Sequence, residues 1–234
     1  MTNIVILGDF NPAYSTHLAL NECTQQMREV FSNHVEFKWI GTDVFDCNNA
    51  FKGDYAGLWI APGSPYKDAD NVIRSIQYAR ECGIPAFGNC GGFQYMIIEF
   101  ARNVCSIGSA DHEETNPDAS DLLISKLSCS LVQQKERLTI TDENSLLYQI
   151  IGRKNVTGKY YCNYGINPAY LDILRGYGLK TTAESDDHQV RAFELENHPF
   201  FLGTLFQPAL TSTQEEPDPI IIAFVKRSIG RPVP

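Results

Sequence analysis

The run Gly88-Asn89-Cys90-Gly91-Gly92 lies between an apolar stretch at 84–87 and a helical pattern with apolar residues at Phe93, Met96, Ile97 and Phe100. A strand that passes into a helix through so short a link must turn sharply. Glycines two positions either side of the cysteine remove Cβ atoms that would collide with the neighbouring strand and helix. Such an elbow presents its central side chain at the C-terminal edge of a parallel sheet, which points to the α/β class.

The rest of the first hundred residues agrees. Apolar runs at 3–7, 35–40, 57–60 and 84–87 alternate with helical patterns at 15–31, 70–82 and 91–101, the order expected for a parallel sheet with helices on both faces. Turns fall at Pro62-Gly63-Ser64-Pro65 and Cys82-Gly83-Ile84-Pro85. Residues 111–121 are polar and acidic and read as a surface loop able to border a site. Shorter, alternating runs at 138–140, 160–164, 179–183, 189–195 and 200–206 read as antiparallel strands completing the sheet, and 219–229 as a closing helix. With no repeat, low-complexity tract or linker, residues 1–234 are expected to form one domain.

A formal charge of -9 repels phosphate backbones and anionic bilayers, so nucleic acid and membranes are not the expected partners and a small molecule is. Seven cysteines form no CxxC pair, and their odd number suits a reducing compartment. The N-terminus has no basic segment and only the four-residue apolar run Ile4-Val5-Ile6-Leu7, which reads as a first strand. No stretch approaches the ~20 apolar residues that span a bilayer. A cytoplasmic protein is the expectation.

Cys90 has two readings: a buried cysteine in a glycine-rich turn, or a nucleophile. For the second, the adjoining helix N-terminus lowers the thiol pKa and the Gly91 N–H can hold an oxyanion. The five histidines are His17, His34, His112, His188 and His198. His17 and His34 read as helix-surface or turn residues, His198 as structural, and His188 as part of an Asp-Asp-His turn. His112 with Glu113 and Glu114 is too compact for a zinc site. No metal and no cofactor is expected.

The run from Gly83 to Gln94, followed by Ile98-Glu99-Phe100-Ala101-Arg102-Asn103-Val104, resembles the amidotransferase domain of the CTP synthase family, a class I glutamine amidotransferase. The likeness continues through Ala110, Glu114, Pro117 and Asp118, through Tyr164 and Asn167-Pro168, and through His198-Pro199-Phe200-Phe201 to Phe206, Pro208, Thr211 and Ser212. It implies a flavodoxin-like, doubly wound, mostly parallel sheet with added antiparallel strands. It also implies a cysteine that attacks the side-chain amide of glutamine, forms a thioester and releases ammonia.

Carried over residue by residue, the resemblance makes Cys90 the nucleophile, Gln94 a substrate contact and Glu114 the carboxylate that holds the substrate ammonium. Gly63 and Ser64 stand in the family's Pro-Gly-Gly loop, with the Ser64 and Gly91 N–H groups as the implied oxyanion hole. The family's closing Phe-His-Pro-Glu, which supplies the triad base and its orienting carboxylate, reads here Phe206-Gln207-Pro208-Ala209. Asn163 precedes Tyr164 where the family has an arginine that grips the substrate carboxylate. Loss of a triad base costs on the order of 10^4-fold in rate.

No Gly-x-x-x-x-Gly-Lys-Ser/Thr loop is present, so this chain alone is not expected to make CTP. A separate synthase subunit and a homo-oligomer are both compatible with the resemblance, and no residue identifies either. Three readings follow. One is a cysteine-dependent hydrolase of a small amino-acid-like amide or nitrile, weak or inactive on glutamine, with His112 as an alternative base. Another is a non-catalytic amino-acid-binding or regulatory protein that keeps the fold. The last is a redox-sensing thiol, with Cys162 as the one cysteine in a segment that lines the family's pocket.

Overall fold

The computed structural model describes residues 1–230. Strand β1 (Thr2–Leu7) pairs in parallel with β2 (Val35–Ile40) on one side and β3 (Gly57–Ile60) on the other. β3 pairs with β4 (Ala86–Asn89), and β4 with β12 (Phe201–Thr204), again in parallel. Every residue of β3, β4 and β12 is buried, as expected of strands covered on both faces. Beyond β12 the sheet turns antiparallel through β11 (Val190–Glu194), β10 (Lys180–Ser185), β7 (Lys135–Ile140) and β8 (Asn155–Lys159). The nine strands run in the order β2-β1-β3-β4-β12-β11-β10-β7-β8.

Helices α1 (Ser15–Val30), α3 (Ala69–Cys82), α4 (Gly91–Asn103) and α7 (Pro219–Ser228) cover this sheet, with the short helices α2 (Cys47–Ala50), α5 (Leu146–Ile151) and α6 (Leu171–Gly176) between strands. Successive strand residues point to opposite faces. Phe87 meets Phe224 of α7, whereas the next residue, Gly88, faces Met96 of α4. α7 and α4 therefore lie on opposite sides, and the two-faced α/β architecture expected from the alternation is the one present. Helix ends follow local chemistry. The Asp68 carboxylate accepts the Asn71 N–H at the start of α3, and Gly83, at φ +68°, ends it in a left-handed conformation that favours glycine. Asp218 accepts from Ile220 and Ile221 at the start of α7, where Pro219 has no N–H to lose.

Two sequence expectations are corrected. The segment 111–121 is not one surface loop. It opens in β5 (Ala110–His112) and leads into β6 (Asp121–Lys126), and with β9 (Tyr164–Ile166) these make a second, three-stranded sheet. Leu123 and Ile124 are fully buried, so the apolar run after the acidic stretch carried a strand signal. Residues 160–163 are not a strand but the crossing between the two sheets, from β8 to β9. Their backbone groups are engaged singly, with Tyr160 N–H donating to Gln134 O, while Cys162 O and Asn163 O accept from Leu131 and Leu127. No helix among the described residues is long and apolar enough to cross a membrane.

Candidate active site

Cys90 follows the last residue of β4 and immediately precedes α4, with φ +52° and ψ −110°. A non-glycine residue there carries roughly 1–3 kcal/mol of backbone strain. The elbow is held from both sides. Cys90 N–H donates to Thr204 O of β12 at 3.0 Å, and Gln94 N–H donates to Cys90 O at 3.1 Å, the first turn of α4. A Cβ at Gly88 would stand 2.5 Å from Met96 Sδ and 2.8 Å from the Gly92 carbonyl carbon, and one at Gly92 only 2.4 Å from Ile60 O. Both flanking glycines are thus required by close approach, the first to α4 and the second to β3.

The Cys90 sulfur opens into a cavity of about 410 Å³ shared with Gly63, Ser64, Glu114, Cys162 and Gln207. Its pKa is lowered. The largest cause is a hydrogen bond from the Cys162 thiol, which burial opposes and the Gly91 and Gly63 N–H groups reinforce. The Cys162 thiol is driven the other way, well above the ordinary range, by its bond to Cys90 and by burial. Of the two thiols, Cys90 is the more readily ionised. Gly91 N–H is among the groups that favour the Cys90 thiolate. From the other loop Gly63 N–H, at φ +100°, also favours the thiolate, and the Ser64 hydroxyl donates to Glu114 Oε2 at 2.8 Å.

Gln94 is buried one turn into α4. Its Nε2 donates to Tyr164 O at 2.9 Å and its Oε1 meets His112 Nε2 at 3.1 Å. His112 Nδ1 accepts the Glu114 N–H, so Nε2 carries the proton and donates to Gln94. This corrects the assignment of His112 as an alternative base. Both its nitrogens are occupied behind Gln94, and burial holds its pKa down to about 4.

His17, expected at a surface, is buried in the same pattern. Nδ1 accepts Asn11 N–H at 3.0 Å, and Nε2 donates to Pro62 O at 2.8 Å, which supports the Gly63 loop from behind. His198 accepts from Phe200 N–H and donates to Ala79 O, a structural role. No histidine lines the cavity among the described residues.

Gln207 reaches the cavity because β12 runs beside β4, with Thr204 opposite Asn89, and its backbone N–H is tied to Lys159 O. The side chain is 1% exposed, and its Nε2 has no partner. Ala209 is buried in the turn that follows, Pro208–Leu210. Asn163 faces the cavity beside Tyr164. Among the described residues Glu114 is the only carboxylate in the lining and no Lys or Arg joins it there, so the arrangement favours a cationic group. No group of three or more His, Cys, Asp or Glu is placed to hold a metal ion among the described residues.

Cys162→Ala removes the largest influence lowering the Cys90 pKa and leaves burial unopposed by that bond. Alkylation of Cys90 by iodoacetamide at neutral pH is expected to slow several-fold, with its pH midpoint moving upward. An unchanged pH profile in the folded variant would contradict the thiol pairing.

A family model described as "Glutamine amidotransferase class-I" matches residues 20–227. The CTP synthase of Saccharolobus solfataricus is 28% identical over 241 aligned residues, covering 96% of this chain and 44% of the relative. That of Flavobacterium psychrophilum is 32% identical over 216, covering 86% and 38%. The chain thus spans less than half the length of these relatives. Among solved structures, the glutaminase domain of Trypanosoma brucei CTPS with bound acivicin superposes with a TM-score of 0.88 at 22% identity, over 100% of this chain and 97% of that one.

Proposed function

This chain belongs to the class I glutamine amidotransferase family, as a CTP synthase-type domain, and from that premise we propose that it is a cysteine-dependent hydrolase of a small amino-acid-like amide or nitrile, weak on glutamine itself. The observation that carries this reading is the strained Cys90 at the wall of a cavity that it shares with Cys162 and Glu114. Strain and a lowered thiol pKa together suit a nucleophile rather than a packed core cysteine.

In this reading Glu114 receives the substrate ammonium, with Ser64 fixing the carboxylate. The carboxylate end of the substrate meets only neutral donors such as Asn163, which weakens selection for glutamine. Sulfur attacks the carboxamide or nitrile carbon, and the Gly91 and Gly63 N–H groups stabilise the charge that develops there. The departing nitrogen must be protonated, and the Cys162 thiol is the proton donor on the sulfur's own side. An amide leaves a thioester that water cleaves, whereas a nitrile first gives a thioimidate, which takes up one water to release ammonia and form that thioester and a second to be cleaved. With Gln207 and Ala209 in place of a histidine and a glutamate, no acid–base pair assists these steps, so glutamine turnover is expected to be slow. A cytoplasmic location, with a separate synthase subunit or a second copy as partner, completes the proposal.

Diazo-oxo-norleucine, an amino acid with an electrophilic carbon in place of the amide, tests it. Intact-mass measurement is expected to show one adduct per chain, absent in Cys90→Ala. Measurable ligand binding with no adduct would sink the hydrolase reading in favour of an amino-acid-binding protein that keeps the fold.

A further inference from the structure

We infer that Cys90 and Cys162 form a peroxide-oxidisable dithiol, in which Cys90 is oxidised first and Cys162 resolves it as an intramolecular disulfide. The two thiols line one cavity, each 7% exposed. Cys162 is held in place rather than free to swing away. The crossing that carries it is tied at Cys162 O by Leu131 N–H and at Asn163 O by Leu127 N–H. Cys90 Sγ in turn lies 3.8 Å from Tyr161 O, on the same crossing. The open cavity admits a molecule as small as hydrogen peroxide.

The remaining cysteines do not compete from the interior. Cys23, Cys47 and Cys105 are buried, and burial pushes their thiols up, to about 12 for Cys23 and about 11 for Cys105, so little thiolate forms there. Cys82 and Cys129 are exposed.

The steps balance with peroxide as the only co-reactant. The Cys90 thiolate attacks one peroxide oxygen, the O–O bond breaks, and the departing hydroxide takes a proton to leave as water, giving a sulfenic acid. The Cys162 sulfur then attacks the Cys90 sulfur and gives up its proton. The S–O bond breaks and a second water leaves. Two thiols and one peroxide have become one disulfide and two waters. Closure brings the sulfurs to about 2.05 Å. The inference does not depend on the hydrolase reading, since it needs only the thiol pair, but it carries a consequence for it: the oxidised protein has no nucleophile.

The test uses the full chain with Cys82→Ser and Cys129→Ser, which removes the exposed thiols. After hydrogen peroxide and alkylation of free thiols under denaturing conditions, non-reducing peptide mapping is expected to recover the Cys90 and Cys162 peptides joined, and dithiothreitol to separate them. In Cys162→Ser, or Cys162→Ala should the serine variant fail to fold, Cys90 is expected to stop at a sulfenic acid that dimedone labels. Three results would each overturn the inference: Cys90 passing to sulfinic or sulfonic acid with Cys162 still reduced, a disulfide to another cysteine, or peroxide leaving both thiols unchanged. Diazo-oxo-norleucine labelling before oxidation reports separately on the hydrolase reading.

Discussion

Replacing Gln207 with His and Ala209 with Glu together is expected to raise glutamine hydrolysis by about 10²–10⁴-fold, measured as ammonia released, since restoring a triad base recovers up to about what its loss costs. Gln207 already lines the cavity beside Cys90, and the parallel pairing of β12 with β4 brings its backbone to the elbow. Its unpartnered Nε2 is a donor where a base must accept. An imidazole there would take the thiol proton and return it to ammonia. Ala209 is buried in the following turn, so a carboxylate at 209 needs the imidazole as its partner, and the pair has to be introduced together. Folded protein with unchanged glutamine turnover would mean that more than the acid–base pair separates this site from a glutaminase, with the absence of a cation near Asn163 the next difference to reverse.

The second large effect is on stability. Glu99 is wholly buried in α4 and accepts from Arg80 Nε at 3.1 and 3.0 Å, from Arg80 Nη2 at 2.8 Å, and from Asn103 Nδ2 at 3.2 Å. Arg80, on α3, keeps 16% of its side chain exposed. Glu99→Ala leaves that guanidinium without its main counter-charge and opens a void between two packed helices. Breaking a buried pair by removing one partner costs about 3–5 kcal/mol, and the partial exposure of Arg80 places this case near about 3 kcal/mol. A thermal melt is expected to fall by roughly 6–12 °C for a chain of this size. A loss below about 1 kcal/mol would show the pair to be energetically neutral. Because α4 starts at the elbow, the same variant is expected to loosen the setting of Cys90.

The elbow and the strands around it were legible because their signals are local. Glycine spacing encodes close approach, and unbroken apolar runs encode burial on both faces. The short helices α2, α5 and α6 have six or fewer residues, too few for a helical period to register. The crossing at 160–163 misled for a related reason. Tyr160 and Cys162 are buried and alternate with more exposed neighbours, a strand's pattern, yet the chain there is changing sheets.

Within the site, side chains named from family resemblance do gather in one cavity, Cys90, Ser64, Glu114, Asn163 and Gln207 among them. What spacing did not convey is which way each hydrogen bond points. The Ser64 hydroxyl donates to Glu114. His112 braces Gln94, and His17 braces Pro62. Those partners are set by contacts across tens of residues of sequence, and only the assembled sheets bring them together.

The shared bonding pattern of three imidazoles, His17 and His112 buried and His198 half-buried, has a consequence for how the protein responds to acidity. Each is locked in one tautomer, accepting a backbone N–H at Nδ1 and donating from Nε2. An enzyme that works through an imidazole has two limbs to its pH–rate curve, because the base must be free and the acid must be charged. Here no imidazole titrates with the reacting sulfur, whose ionisation is linked instead to that of the neighbouring Cys162 thiol. Alkylation of Cys90 follows its own thiolate and then levels off, and turnover falls only where the Cys162 thiol ionises, above the ordinary thiol range rather than where an imidazole would set the slope.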